Sequence, residues 1–147
     1  MCHDRRTDDA YFIFYCVVKF MNLTYLAILI AGAMPLVCAA IAKSGFKQYD
    51  NHNPRAWLAK QTGFYARANA AQANSFEAFP FFAVGVVLAF LAGVDHAKIE
   101  LLSISFVVAR IAYIACFVAD KATLRSIVWI IGYGCAVALY VLAIQAS

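Results

Sequence analysis

The sequence has few charged residues. Lysine, arginine, aspartate and glutamate make up 14% of the 147 residues, whereas hydrophobic residues make up 65% and the mean hydropathy is +0.74. A soluble domain carries roughly one quarter charged residues, and the surface of a small globule cannot be covered with so few. The composition therefore excludes an ordinary soluble domain and predicts an integral membrane protein with one compact domain.

Metal, redox and nucleic-acid motifs are also missing. The five cysteines are scattered without a Cys-x-x-Cys pair, and the three histidines lie far apart in polar segments. These spacings give neither a dithiol nor a zinc site, so we expect no metal. The net charge is only +4, and no basic cluster alternates with aromatic residues, so we expect no nucleic-acid partner.

Long apolar segments occupy most of the chain. A membrane-spanning helix needs about 20 apolar residues, and four segments qualify, at residues 22–42, 75–94, 99–119 and 122–146. They show no alternation with a period of two, which favours helices. The connections near residues 93–98 and 119–123 are short, which indicates antiparallel neighbours, and the longer one holds an Asn53-Pro54 turn that could start a short helix. The prediction is an antiparallel bundle of four transmembrane helices.

The first residues do not form a span of their own. A polar stretch precedes a short apolar run that Lys19 interrupts, and no signal-peptide cleavage site follows it. We interpret residues 1–21 as an N-terminal extension, disordered or from a misassigned start, ahead of a membrane domain at residues 22–147. The hypothesis that Met21 is the natural start would be refuted by native protein that begins at Met1 or Cys2.

Positive charges predict the orientation. The basic residues of segment 43–74 share a side with Lys121 and Arg125, and they outnumber the basic residues on the other side. Because cytoplasmic loops are enriched in lysine and arginine, we expect residues 43–74 and 119–125 to be cytoplasmic.

A few polar side chains interrupt the spans. Such groups are costly in a membrane and are functional candidates by default. On a helix, Arg67, Asn74 and Glu77 lie on nearly one face. Arg110 lies in the middle of the third span and has to point into the bundle. We therefore expect Glu77 and Arg110 to be neighbours, within the chain or across a subunit boundary.

Two interpretations of these groups remain open. The Arg–Glu pair could only fix the helix register. Alternatively, Arg67, Arg110 and Arg125 surround one acid and one amide, which suits a small ligand with carboxylates and an ammonium group, such as glutathione. The rival class is a non-catalytic four-span protein for transport, scaffolding or lipid binding, although three nearby arginines argue against a proton exchanger. Trp57 and Trp129 are interpreted as interface anchors or packing residues.

Two motifs carry a family resemblance. AQANSFEAFPFFA (71–83) and ARIAY (109–113) resemble the membrane-associated proteins in eicosanoid and glutathione metabolism (MAPEG), which include the microsomal glutathione transferases. NPRAW (53–57) and LRSIVW (124–129) resemble bacterial members in particular. The resemblance implies four-helix subunits in a homotrimer of the bacterial inner membrane, with glutathione bound between subunits toward the cytosol. It further implies an enzyme that uses glutathione as co-substrate to conjugate lipophilic electrophiles or to reduce lipid hydroperoxides.

The resemblance also suggests roles for individual residues. Arg125 lies within about one residue of the arginine that stabilises the thiolate in family members, and the resemblance implies this role for it. The expected glutathione-binding residues are Arg67, Gln72, Asn74, Glu77, Arg110 and Tyr113. Three positions depart from the family pattern, because Ala70, Ala78 and Phe117 stand where an arginine, an aromatic residue and a tyrosine are common.

Overall fold

The computed structural model describes residues 5–44 and 49–147, with side chains from residue 23 onward except at 45–48. The predicted cytoplasmic Lys47, the first four residues, and the side chains of the remaining N-terminal extension lie outside this description. The elements in chain order are α1 (Arg5–Lys43), α2 (Pro54–Ala59), α3 (Gly63–Leu91), α4 (His96–Val118) and α5 (Ala122–Ala146).

Among the described residues, four helices are long and apolar enough to cross a membrane. They are the Leu23–Lys43 part of α1 and the whole of α3, α4 and α5. This confirms the predicted all-α, four-helix membrane bundle. The short helix α2 begins at Pro54, directly after Asn53, as the turn signal predicted.

The helix limits differ from the apolar segments in two places. Helix α3 begins at Gly63 rather than at residue 75, and the backbone of α1 is helical from Arg5. Hydropathy marks only the part of a helix that is suited to lipid, and helical hydrogen bonding continues into polar residues beyond it. The extension of α3 matters for the site, because it places Arg67 and Asn74 on the same rigid helix as Glu77.

Helices α3 and α4 form the middle of the bundle. Each of them packs against the other three spans, while α1 and α5 both pack against this central pair. The core between them holds fully buried side chains such as Phe82, Val86, Ile99 and Leu139. Phe82 stacks on Phe106 of α4 with ring centroids 3.9 Å apart, which joins the two central helices.

The outside of the bundle is strongly apolar. Leu29, Leu36, Leu91 and Ile144 are each at least two-thirds exposed, and they come from three different spans. Exposed leucine and isoleucine side chains on every side suit a hydrocarbon solvent and would be unfavourable in water.

The connection before α3 is organised by one acid. The carboxylate of Asp50 accepts hydrogen bonds from the backbone N–H groups of His52, at 2.8 Å, and Asn53, at 3.2 Å. These bonds, the one from His52 above all, lower the pKa of Asp50 below its usual value. The turn leads directly into α2, where Trp57 packs edge-on against Tyr49.

Candidate functional site

Arg110 is the central polar group of the bundle. It lies in α4 with only 3% of its surface exposed. Its Nη1 donates to Asn74 Oδ1 at 2.9 Å and its Nη2 donates to Ser75 Oγ at 3.2 Å, both on α3. The guanidinium also lies over the ring of Tyr113, 4.3 Å from its centroid, one turn further along α4. These contacts hold a positive charge in a fixed position inside the membrane domain.

Ser75 supports this arrangement and was not singled out by the sequence. The buried hydroxyl donates to the carbonyl of Ala71 at 2.8 Å and is left to accept from Arg110. The thiol of Cys38 on α1 lies close to both Ser75 and Arg110. The only sequence signal for Ser75 was its place beside Asn74 in an apolar run. A helix turns by about 100° per residue, so two adjacent polar residues can grip one guanidinium from both sides.

A cavity of about 120 Å³ opens beside Arg110, between α3, α4 and α5. It brings together Arg110, Asn74 and Glu77. Its other lining residues are apolar or aromatic, namely Ala78, Phe81, Phe106, Trp129, Tyr133 and Ala136. A small space with a cation, an amide and an acid among aromatic walls can orient a ligand that carries complementary groups.

Glu77 and Arg110 share this cavity without forming an ion pair. The ion pair found among the described residues joins Arg67 to Asp120 instead. Glu77 is exposed, whereas the guanidinium of Arg110 is occupied by Asn74 and Ser75. Around α3, Glu77 lies about 60° from Asn74 but about 200° from Ser75, so it shares a face with only one of the two acceptors of Arg110.

A second space surrounds Arg125 at the start of α5. This groove, of about 470 Å³, is lined by Tyr113, Phe117, Arg125, Ser126, Trp129 and Ile130. The guanidinium of Arg125 lies over the ring of Phe117, 4.4 Å from its centroid. Phe117, where the resemblance led us to expect a tyrosine, thus contacts this arginine through the face of its ring.

Tyr113 and Trp129 connect the cavity with the groove. Tyr113 is near enough to Arg110, Arg125 and Glu77 to interact electrostatically with all three. The indole of Trp129 lines both spaces, so it stands between the cavity of Asn74 and the groove of Arg125. The sequence interpretation of Trp129 as an anchor or packing residue missed this position, since nothing in its spacing distinguishes it from Trp57.

An aromatic stack extends the wall of the cavity along α5. Trp129 stacks on Tyr133, Tyr133 on Phe81, and Phe81 on Tyr140, with centroid distances of 5.2, 5.2 and 4.7 Å. The hydroxyl of Tyr140 donates to the carbonyl of Phe81 at 2.9 Å. The stack ties α3 to α5 and fixes the apolar side of the cavity.

Two predicted ligand residues lie outside the cavity and the groove. Arg67 donates from Nε to the carbonyl of Val118 at 3.2 Å and pairs with Asp120 at 3.5 Å, so its guanidinium is engaged at the end of α4. Gln72 is rotated by about 200° from Asn74 around α3. Its Oε1 is buried without a hydrogen-bond partner in the described part of the chain.

The described residues contain no group of three or more histidine, cysteine, aspartate or glutamate side chains that could hold a metal ion. The charged groups around the two spaces are instead two arginines, Arg110 and Arg125, and one acid, Glu77. The arrangement is therefore suited to binding an organic ligand with more negative than positive charges.

Comparison with models of known protein families identifies the family of the chain. No curated protein matches the chain. The model of the MAPEG family matches residues 23–145, which include every residue of the site and all four spans except the last residue of α5. The chain therefore belongs to the MAPEG family, whose members work in membrane-associated eicosanoid and glutathione metabolism.

Proposed function

We propose that this protein binds glutathione inside the membrane and uses it to conjugate lipophilic electrophiles or to reduce lipid hydroperoxides. The observation that carries the proposal is the buried guanidinium of Arg110 at the wall of a cavity that also holds Asn74 and Glu77. Membership of the MAPEG family supports the choice of glutathione among ligands with suitable charges.

The charge on Arg110 requires compensation. A cation in a medium of low dielectric constant is unfavourable unless an anion or several hydrogen bonds stabilise it. The described residues give Arg110 two neutral oxygen acceptors and no carboxylate within ion-pair distance. A guanidinium has five N–H donors, so some remain for a ligand. A carboxylate of glutathione would satisfy both the charge and these donors.

The other polar groups complement the rest of a peptide ligand. The exposed carboxylate of Glu77 is available for an ammonium group, and the amide of Asn74 can donate from Nδ2 while its Oδ1 accepts from Arg110. Charge-assisted hydrogen bonds of this kind are about twice as strong as neutral ones. Glutathione carries one ammonium, two carboxylates and two amide groups, which gives each of these side chains a partner.

The size of the cavity indicates that the ligand extends further. Ligand sites usually measure roughly 300–1,000 Å³, so the space of about 120 Å³ takes only part of a tripeptide. The groove of about 470 Å³ continues from Trp129 toward Arg125. In our proposal glutathione spans both spaces, and a neighbouring subunit of a homotrimer closes the exposed side around Glu77.

The orientation follows from the charges near the site. Lys43, Lys60, Lys121 and Arg125 lie at the end of the bundle where α3 and α5 begin, which we term the site end. The opposite end, termed the far end, is where α3 ends and α4 begins, next to Lys98. The larger number of basic residues favours a cytoplasmic site end, in a bacterial inner membrane, where glutathione is available.

Arg125 is the proposed catalytic residue. A free thiol has a pKa of about 8.5, and a neighbouring cation favours the thiolate, which is the nucleophile. In conjugation the thiolate sulfur forms a bond with an electrophilic carbon, and the leaving group departs with its electron pair. In peroxide reduction two glutathione molecules supply two electrons, and the products are glutathione disulfide, an alcohol and water. The lipophilic substrate would enter sideways from the bilayer, against the aromatic wall.

The proposed function can be tested by ligand-induced thermal stabilisation. A ligand that binds only the folded state adds about 2.7 kcal/mol of stability at a concentration of 100 Kd. We expect millimolar glutathione to raise the Tm of the detergent-solubilised protein by several degrees. In Arg110→Met and in Glu77→Gln the shift should shrink, whereas Lys98→Met, which removes a cation at the far end, should keep it. No shift with the wild-type protein would favour a non-catalytic four-span protein.

The role of Arg125 can be separated from binding. Arg125→Ala removes the cation beside the thiol, so turnover should fall by about two orders of magnitude, since such electrostatic groups contribute that much to kcat. The glutathione-dependent shift in Tm should persist, because the carboxylates bind elsewhere. Turnover with a model electrophile that is unchanged in Arg125→Ala would exclude the role.

A further inference from the structure

The last turn of α4 has an unusual hydrogen-bonding arrangement. A helix leaves its last four carbonyl groups without partners inside the helix. Three of them are satisfied locally, because the carbonyls of Ala115, Cys116 and Phe117 accept from the backbone N–H groups of Ala119, Lys121 and Asp120. The fourth, the carbonyl of Val118, accepts from a side chain of another helix, Nε of Arg67 on α3, at 3.2 Å.

The residue that ends α4 is itself unusual. The bond pattern is that of a Schellman motif, in which the residue after the helix adopts the left-handed conformation and is usually glycine. Here that residue is Asp120, with φ of 61°. A left-handed aspartate is strained relative to glycine, and such strain persists only where the surroundings enforce it. We therefore looked for a contact of the Asp120 carboxylate that a glycine at this position could not make.

Arg67 makes that contact. Its Nη1 lies 3.5 Å from Asp120 Oδ2, while its Nε holds the carbonyl of Val118. One guanidinium thus grips a carboxylate and a carbonyl in the same turn. A cation at the C-terminal end of a helix is also favoured by the helix dipole. We term this group of Arg67, Val118 and Asp120 the arginine clamp.

The clamp lies directly before the first turn of α5, which carries the proposed catalytic residue Arg125. Helix α5 begins at Ala122, and the backbone N–H of Arg125 donates to the carbonyl of Lys121 at 2.9 Å. The orientation of Lys121 therefore sets the direction of the first turn of α5. Arg67 stands on the same helix as Asn74, about two turns before it. The clamp consequently joins the helix that carries the cavity to the turn that carries Arg125.

We propose that Arg67 and Asp120 are positioning residues, which fix the distance between Arg125 and the cavity of Asn74 and Glu77. The catalytic consequence depends on the proposed function, but the clamp itself does not. Arg67 acts in this account through the α4–α5 turn and not as a ligand of glutathione. The two roles make different predictions, because a ligand residue changes binding whereas a positioning residue changes turnover.

The clamp can be observed through Trp129. The chain has two tryptophans, so Trp57→Phe leaves Trp129, in the groove beside Arg125, as the single tryptophan, which can be excited selectively over tyrosine. In that background the test compares Arg67→Met and Asp120→Asn with the matched control Arg55→Met, an exposed arginine on α2. Asparagine has the shape of aspartate and tolerates the left-handed conformation, so Asp120→Asn removes the charge with the least effect on folding.

The expected result is a loosened first turn of α5 with intact binding. Arg67→Met and Asp120→Asn should each make Trp129 more accessible to acrylamide quenching, by about twofold in the quenching constant, and should lower kcat on the order of tenfold, since small misplacements of catalytic groups are costly. The glutathione Kd should stay within about twofold. The double variant should resemble the single ones, because both remove one interaction, and Arg55→Met should match the background.

Two outcomes would overturn the inference. Unchanged quenching of Trp129 in both variants would show that the clamp does not hold α5. A glutathione Kd that rises in Arg67→Met but not in Asp120→Asn, with kcat preserved, would make Arg67 a ligand residue. If the wild-type protein does not bind glutathione, the proposed function fails, while the quenching comparison still decides whether the clamp exists.

Discussion

The two short turns of the bundle end their helices with the same hydrogen-bond pattern but hold it in different ways. In the turn at the far end, Gly93 adopts the left-handed conformation with φ of 75°, and Val94 N–H donates to the carbonyl of Ala89. Asp95 then caps α4 by accepting from the N–H groups of Ala97 and Lys98. Every contact comes from within a few residues of the turn.

The turn at the site end has neither a left-handed glycine nor a side-chain cap on the following helix. Asp120 stands where the other turn has glycine, and Lys121 precedes α5 without a side-chain cap. Instead, Arg67 from another helix contacts the carbonyl of Val118 and the carboxylate of Asp120. A left-handed conformation costs most residues about 1–2 kcal/mol, aspartate and asparagine less than that, and glycine nothing. The contacts of the far turn stabilise only the ends of α3 and α4. The site turn contains a strained residue, but its contacts with Arg67 also link α3 to the start of α5.

The largest effect on stability is expected at Gly93. Gly93→Ala forces an L side chain into the left-handed conformation, so the free energy of unfolding should fall by about 1–2 kcal/mol. Gly134→Ala is the matched control, because Gly134 lies inside α5 with open space around its Cα and needs no special conformation. Denaturant titration in detergent micelles measures both. Equal stability of the two variants would contradict the assignment of Gly93 as a conformational requirement.

A smaller loss is expected at the cap of α4. Asp95→Ala removes the acceptor of two backbone N–H groups at the start of the helix, which should cost about 1 kcal/mol. Asp95→Asn keeps an acceptor and should lose only a fraction of that amount. Turnover should not change in either variant, since the far end carries no part of the site. The same titration, run beside a turnover assay, checks both statements.

The smallest effect on stability is expected at Asp120. Asp120→Gly relieves strain worth about 1 kcal/mol but loses an ion pair worth at most about 1 kcal/mol, so the stability should stay within about 0.5 kcal/mol of wild type. Turnover should nevertheless fall, because the clamp is gone. A variant that is as active as wild type would show that the strained aspartate has no bearing on catalysis, and that the two turns differ only in sequence.

The features that sequence predicted are those set by local chemistry. Apolar length predicted the four spans, and Asn53-Pro54 predicted the start of α2. The motif around Asn74 and Glu77 predicted the family, which the match to residues 23–145 confirms. Hydropathy could not show that α3 begins at Gly63, because polar residues such as Arg67, Asn69 and Gln72 interrupt its first turns.

The remaining features depend on contacts between helices. The sequence offered Glu77 as the natural partner of Arg110, yet the rotation of α3 presents Asn74 and Ser75 instead. Arg67 was predicted as a ligand residue from its charge and the family resemblance, whereas nothing local shows that Asp120 adopts a positive φ and pairs with Arg67. Spacing along one helix identifies shared faces, but the choice of partner is decided by how the helices are rotated against each other.

The central claim is that α3, α4 and α5 together form one glutathione site at the end of the bundle where α5 begins. A structure of the protein with bound glutathione, determined in a lipid bilayer, tests this claim most directly. We expect a ligand carboxylate within about 3 Å of the guanidinium of Arg110, and the sulfur in the groove beside Arg125. Glutathione bound at the far end near Lys98, or bound with Asn74 and Glu77 facing lipid, would contradict it.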